Sequence, residues 1–470
     1  MTLLIRNATI VTGDDANTIW HGGAIAIEGR RIAALGPDAE VAARFPGAEA
    51  VDAAGHAVFP GFANIHTHLG MTLARGIFED LSPPHRPPFE GGLSPIPMPA
   101  LSPREQAAMC QLGALEAIRS GTTAVLEDEA FIENYAQEMA DSGLRMLLAE
   151  RAWDRAQATI GDPSEFRRDP ELGAQGIARI RALHAKWHGA GEGRITVGVS
   201  AWSPDTCSAP LLRELRALQQ ELDTVCTIHL NQIWGEVAAI QAHHNMAPTE
   251  FLDSIGFIHD RMIGAHCRCM APFEEQILGR RRAHVAFNSA IAARRGLSPR
   301  VCEMEQAGCN IAMGTDNMAE DMVEVMRTGL FMERVRRQDG RNPSPEEALR
   351  WATRNGYRAM GIAGGGWLAE GNLADLIMIR VDRAHQAPFL RPLAAFVHQG
   401  QAGDVSDVMV DGRWIMRAGR VLTMDEAAVI REAEAVAQRA WSRLFAENPH
   451  IPVPEGFRPL PPVEAGVATG

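Results

Sequence analysis

The sequence predicts an α/β fold in which a (β/α)8 barrel carries a small composite β-sandwich domain, and three observations lead there. From about residue 60 to 366, eight short apolar β runs alternate with helical stretches. The two ends of the chain share a texture of short strands and turn signals. The histidines and the aspartate best suited to chemistry fall where the apolar runs end. Strands alternating with helices specify a parallel sheet covered by helices, and eight repeats close it into a TIM barrel with its chemistry at the C-terminal strand ends.

Residues 1–59 are rich in β-branched residues broken by Gly13-Asp14-Asp15, Glu28-Gly29 and Ala54-Gly55, which predicts short strands and hairpins. The first barrel strand is expected over Phe59 to His66. It is followed by Thr122 to Leu126, Arg145 to Leu148, Ile195 to Val199, Val225 to Leu230, Met262 to His266, Ala283 to Phe287 and Ile311 to Thr315. Residues 81–103 hold eight prolines, and a connection of that length inside a compact domain is usually functional. With Phe89, Ile96, Met98 and Leu101 it predicts a stiff pocket wall. Residues 367–424 return to β texture, with a turn and buried strand over Glu370 to Ile379 and an Asp411-Gly412 hairpin. Segments 1–59 and 367–424 are therefore assigned to one small β-sandwich domain and 60–366 to a metal-binding barrel. Residues 425–447 predict a closing amphipathic helix, and the Pro-rich tail to 470 has no periodicity.

Composition narrows the function. A formal net charge of -13 argues against nucleic acid and anionic membrane, both of which reward clustered Lys and Arg, so the expected partner is a small molecule. Seven scattered cysteines without a Cys-x-x-Cys pair suit a reducing compartment, and Cys267 and Cys269 read as buried strand thiols rather than ligands. The first dozen residues alternate like a strand and lack a basic region leading into a long apolar one. No apolar run has the length of a membrane span. The expectation is a cytoplasmic protein.

The chemistry begins at His66 and His68, two imidazoles that an extended strand places on one face. His229 closes Val225-Cys-Thr-Ile-His, His266 closes Met262-Ile-Gly-Ala-His, and Asp316 follows Ile311-Ala-Met-Gly-Thr. Nitrogen and oxygen donors in this combination suit one divalent ion per chain, zinc first and iron, cobalt or manganese as alternatives, with a position open for water.

The chain resembles the amidohydrolase superfamily, and within it the triazine and cyclic-amidine aminohydrolases and chlorohydrolases. The matching pieces are Pro60-Gly-Phe-Ala-Asn-Ile-His-Thr-His-Leu with Leu73-Ala-Arg-Gly, Ser120-Gly-Thr-Thr-Ala, Ser203-Pro-Asp-Thr-Cys-Ser, Ala265-His-Cys, Gly314-Thr-Asp and Gly371-Asn-Leu-Ala-Asp-Leu. They run in order through nearly the whole chain. The resemblance implies a metallohydrolase in which His66, His68, His229 and Asp316 bind the metal. His266 would then hold the attacking water or the substrate, and Asp316 would move its proton. It also implies a homo-oligomer, a dimer or larger.

Three positions depart from that pattern. The glutamate that relatives carry three residues after the third histidine is Gln232, whose amide has no proton to shuttle at neutral pH. Trp202 stands where relatives place a substrate-binding histidine, and Phe287-Asn288 stands where many carry His-Asn or His-Cys. Gln232, Trp202, Phe287, Asn288, Arg151 and His266 are the expected substrate contacts, in an apolar pocket. Arg268 and the Glu127-Asp128-Glu129 cluster are further candidates, and Glu236 is a candidate substitute shuttle that a helix would aim away. The departures favour hydrolysis of an amide, urea, carbamate or thiocarbamate carbonyl in a small, rather apolar molecule. Ring deamination or dechlorination of a triazine, purine-like or pyrimidine-like ring is the alternative. A non-catalytic barrel serving as a binding module is the second alternative.

Overall fold

The computed structural model describes residues 2–79, 96–156 and 166–458. Eight parallel strands form the barrel: Phe62–Thr67, Thr122–Glu129, Arg145–Ala152, Ile195–Ala201, Cys226–Leu230, Met262–His266, His284–Phe287 and Asn310–Met313. Buried parallel strands read as continuous apolar runs, which is why each was legible in the sequence. The barrel closes between its last and first strands through Asp316 N donating to His66 O and His68 N donating to Asp316 O, both at 2.9 Å. The closing seam is thus made of candidate ligands. Small and branched residues, among them Ala63, Ile65, Ala124, Leu126, Ile263 and Ala286, fill the interior.

The expected strand Phe59 to His66 is in fact two. His56–Pro60 belongs to a second sheet of nine strands, where it pairs in parallel with Thr2–Val11 and antiparallel with Leu376–Arg380. The break falls at Gly61, which packs so closely on the next barrel strand that a Cβ there would lie 2.2 Å from the Thr123 side chain. The hairpin at Asp411-Gly412 joins Val405–Val410 to Arg413–Arg417 in the same sheet.

Sheet and barrel are tied by Arg145, at the start of the third barrel strand. Its Nε and Nη2 donate to Asp375 at 2.8 and 3.1 Å, and Nη2 also reaches Asp411 at 2.7 Å. Asp375 further accepts from Tyr357 Oη at 2.8 Å. The aspartate of Gly371-Asn-Leu-Ala-Asp-Leu is therefore an anchor on the face of the barrel opposite the candidate site.

The closing helix spans Glu426–Glu447, with Asp425 as N-cap accepting from Ala428 N at 3.0 Å. Val429, Ala433, Val436 and Ala440 make its buried stripe, and Trp441 Nε1 donates to Leu73 O at 2.7 Å. That contact holds the segment after His68 in place. Ile96, Met98 and Leu101 pack with Leu73 and Phe78 against this helix. Phe89 and residues 459–470 lie outside the described residues. Among the described residues no helix is long and apolar enough to cross a membrane.

Candidate metal centre

His66, His68, His229, His266 and Asp316 come from four strand ends and converge at the top of the barrel. His66, His68 and His229 present ligand atoms within 4.8 Å of one another, as do His66, His266 and Asp316. His66 is shared, so the two groups describe one centre. The ring centroids of His66 lie 4.8 Å from those of His68 and His229 and 5.1 Å from that of His266.

The hydrogen bonds behind the rings test whether the site fits a cation. His68 Nδ1 donates to Asp128 O at 2.6 Å and His229 Nδ1 to Trp202 O at 2.8 Å. Each ring is thereby fixed in the tautomer with a bare Nε2, and the two Nε2 atoms face each other at 3.2 Å. Two lone pairs so placed repel unless a cation lies between them. Both His66 nitrogens, His266 Nε2 and Asp316 Oδ2 are buried without a hydrogen-bond partner among the described residues. A buried polar atom left unpaired is expensive, and a metal ion would satisfy His66 Nε2 and Asp316 Oδ2 together, while His66 Nδ1 faces Asp128 Oδ2 at 3.9 Å behind the ring.

Electrostatics agrees. Burial, with Arg151 beside them, pushes His68 down to about 4 and His229 to about 3, while burial and the neighbouring imidazoles hold His66 well below the usual range. Burial and Arg268 do the same for His266. All four rings are neutral at physiological pH, the form in which imidazole ligates.

A second layer fixes these groups. Glu320 accepts from Thr67 Oγ1 at 2.8 Å, Thr315 Oγ1 at 2.7 Å and Asn64 Nδ2 at 3.1 Å, and Asn64 Oδ1 accepts from Thr315 N. The Gly314-Thr315-Asp316 turn is so crowded that a Cβ on Gly314 would lie 2.6 Å from Asn288 Oδ1. Asp316 and His266 sit at φ of 70° and 76°, a left-handed conformation these surroundings must impose.

A cavity of about 660 Å³ opens on the centre. Met71, Phe78, Ile96, Met98, Leu101 and Trp202 form its apolar wall; His68, His229, Gln232, Arg295, Asp316 and Asn317 form its polar end. Trp202 and Gln232, read from the sequence as substrate contacts, both line this cavity. Arg151 also lines the cavity, but its guanidinium is engaged by Asp128 Oδ1 at 3.3 Å and Glu129 Oε1 at 3.1 Å.

Other expected contacts are corrected. Phe287 is absent from the cavity wall: Ala286 faces the barrel interior, so the alternation of the strand turns Phe287 outward into the layer under helix Met322–Arg337. Asn288 does not line the cavity either, and its Nδ2 lies 3.1 Å from His266 Nδ1, orienting that ring. Glu236, on helix Trp234–His244, accepts from the backbone N of Asn231 and Gln232, each at 2.7 Å. It holds the Gln232 turn and is unavailable as a shuttle.

Several site groups went unidentified in the sequence. Glu320, Asn64 and Arg295 carry no spacing signal. Of the acidic cluster, Asp128 sits behind the imidazoles and Glu129 lines the cavity. Glu127 is buried, accepts from Leu69 N and Tyr135 Oη, and is pushed up to about 8 mainly by burial.

Comparison with known proteins places this geometry. A model of the amidohydrolase family matches residues 57–415, and one of a bacterial imidazolonepropionase-like composite domain matches residues 23–48. A 5'-deoxyadenosine deaminase of Methanothermobacter thermautotrophicus is 32% identical over 450 residues, covering 92% of this chain and 98% of that protein. A 5-methylthioadenosine/S-adenosylhomocysteine deaminase of Desulforudis audaxviator is 33% identical over 450 residues, covering 93% and 99%. Among solved structures, a zinc-bound adenosine deaminase from Xanthomonas campestris superposes with a TM-score of 0.80 at 23% identity, covering 94% and 98% of the two chains. An atrazine chlorohydrolase from Arthrobacter aurescens complexed with zinc gives 0.80 at 20%, covering 93% and 100%. At those identities the two structures speak for the fold alone.

Proposed function

The chain belongs to the amidohydrolase family, and on that premise we propose that it is a zinc-dependent hydrolase cleaving a carbon–nitrogen bond at a carbonyl-type carbon of a small molecule with an apolar body. One ion per chain would be held by His66, His68, His229 and Asp316. When bound, such an ion acidifies water and polarises the group under attack.

The protein's own groups supply the rest. Asp316, whose Oδ2 is unpaired and which lines the cavity, accepts the proton of the attacking water and returns it to the departing nitrogen. His266, oriented by Asn288, stands beside Asp316 with Nδ1 3.8 Å from Oδ2 and steadies the oxygen under attack. The wall of Met71, Phe78, Ile96, Met98, Leu101 and Trp202 excludes water and takes the apolar body. Water supplies the new C–O bond, and its protons leave on the amine or ammonia.

The observation that carries this choice is Gln232. It lines the cavity with Oε1 buried and unpaired, so an amide that orients a substrate stands where protonation of a ring nitrogen needs an acid. The second reading, deamination of an adenosine-like ring, is favoured by the names of the relatives at 32 and 33% identity. A zinc-loaded sample offered amides, ureas and carbamates beside 5'-deoxyadenosine and methylthioadenosine separates them. Amine or ammonia release from the carbonyl compounds alone is expected; turnover of the nucleosides alone would replace this proposal with the second reading.

A further inference from the structure

A second cavity, of about 700 Å³, opens on the face of the barrel opposite the metal centre. Its walls are helices Pro345–Ala352 and Arg354–Ala359, which follow the last barrel strand, and the glycine-rich loop after them. Asn355, on the second helix, fixes the place: its Nδ2 donates to Ile311 O at 2.8 Å, and its O accepts from Nδ2 of Asn310, the first residue of that strand, at 3.0 Å. The reaction proposed above makes no use of this cavity.

Arg350, Arg354 and Arg358 all line it, and Asp15 is the acidic residue that joins them. Three positive charges against one negative leave the wall two positive charges in excess, on a chain whose formal net charge is -13. Arg354 is held in place, since it pairs with Asp15 and its Cζ lies 4.7 Å from the ring centroid of Trp367. The guanidinium groups of Arg350 and Arg358 make no hydrogen bond or ion pair among the described residues. Glu305 feels the Arg350 charge, but it accepts from Trp351 Nε1 at 3.1 Å and does not line the cavity. Like charges gathered in one concavity repel each other and attract an anion.

The loop adds donors of a second kind. Ala363, Gly364 and Gly365 line the cavity, and their backbone N–H groups donate to no acceptor among the described residues. Gly364 is left-handed at φ 71°, as in the turns whose successive N–H groups form an anion-binding concavity. Guanidinium forks and backbone amides together match the several oxygens of a phosphate group. The volume lies within the range of about 300–1,000 Å³ typical of small-ligand sites, so a phosphate ion fills only part of it.

We propose that this cavity is a phosphate-binding site, separate from the metal centre, in which Arg350, Arg358 and the loop amides receive a phosphate group, free or as the ester of a small molecule. Arg354, locked between Asp15 and Trp367, holds the wall in shape. The site goes beyond the hydrolase reading and stands whether or not that reading does.

The test is calorimetry on the zinc-loaded protein at physiological ionic strength, with orthophosphate, ribose 5-phosphate and ribose as probes. Both phosphates should bind the parent with Kd below about 1 mM, and ribose should not bind. Tighter binding of ribose 5-phosphate assigns the site to a phosphate ester; equal affinities assign it to the free ion. Arg358→Gln, at an exposed side chain, should weaken binding several-fold, and Arg350→Gln/Arg358→Gln at least tenfold, at equal zinc content. Because neither guanidinium holds the fold through a contact, both variants should keep Tm within about 2 °C of the parent. Raising the salt concentration should weaken binding to the parent more than to the double variant. Failure of both phosphates to bind the parent overturns the proposal. So does unchanged affinity in the double variant, which would put the anion at the metal centre.

Discussion

Replacing Arg145 by methionine should strip the protein of much of its stability while sparing its chemistry. The substitution removes three charge-assisted hydrogen bonds, two to Asp375 and one to Asp411. Asp375 has a fully buried side chain and would keep only Tyr357 Oη and Asp411 N at 2.7 Å. Asp411 is 7% exposed and would keep Arg30 at 2.7 Å. Breaking one side of a buried pair leaves an uncompensated charge and costs about 3–5 kcal/mol. The double variant Arg145→Met/Asp375→Asn, which removes both charges, should recover about half of that loss. Urea unfolding followed by tryptophan fluorescence reads both variants. Arg145 lies at the N-terminal end of its strand, opposite the cavity, so kcat/KM below the transition should stay within about twofold of the parent. A loss under about 1 kcal/mol, or a fall in turnover without a fall in stability, would refute the division into an anchoring face and a chemical face.

Three further outcomes follow from the site. Asp316→Asn should lower turnover by at least about 100-fold, the scale of a lost general base, with the fold intact by circular dichroism; near-normal turnover would remove Asp316 from proton transfer. Gln232→Glu should leave activity on carbonyl substrates unchanged or lower and add activity on aminated triazines or pyrimidines, and a large rise in native turnover would show the reasoning about Gln232 to be wrong. Glu127 has its folded pKa raised to about 8, chiefly by burial, so the folded state holds a proton that the unfolded chain has released above about 4.5. Its contribution to stability is present at low pH and falls as pH rises, by about 3 kcal/mol between pH 5 and 8. Glu127→Gln should flatten that slope in urea titrations across the range, and an unchanged slope would contradict it.

The barrel was legible in the sequence because strands buried on both faces appear as apolar runs, and its candidate ligands because they fall where such runs end. The same property hid the phase of individual strands. In His284–Phe287 every residue is buried, so nothing in the pattern tells which face Phe287 takes. Only the packing of helix Met322–Arg337 decides it. The break at Gly61 was invisible for another reason: Thr123, which forbids a side chain there, belongs to a different strand. Asn64, which holds the turn at Asp316, reaches Thr315 and Glu320 across 251 and 256 positions of sequence, a relation no local spacing can express. Gln232 was readable as an amide where the family resemblance implies an acid. That Glu236 could not replace it needed the helix direction and its two backbone hydrogen bonds.

The fate of the other carboxylates sharpens the assignment of Asp316. Glu127, Glu236 and Glu320 are all buried close to the centre, and each is saturated by donors from backbone, hydroxyl or amide groups. Asp128 gives Oδ1 to Ser200 and Arg151 and keeps Oδ2 beside the Nδ1 atoms of His66 and His229, 3.9 and 3.8 Å away, behind the rings. Of these groups only Glu129 and Asp316 line the cavity among the described residues, and Glu129 is held by Arg151. On the proposed reading, proton traffic at the reacting carbon would therefore converge on Asp316. A reaction that needs one carboxylate for water and a second for a ring nitrogen is poorly served by this arrangement, whereas carbonyl hydrolysis, in which the proton taken from water returns to the leaving nitrogen, needs only the one that remains free.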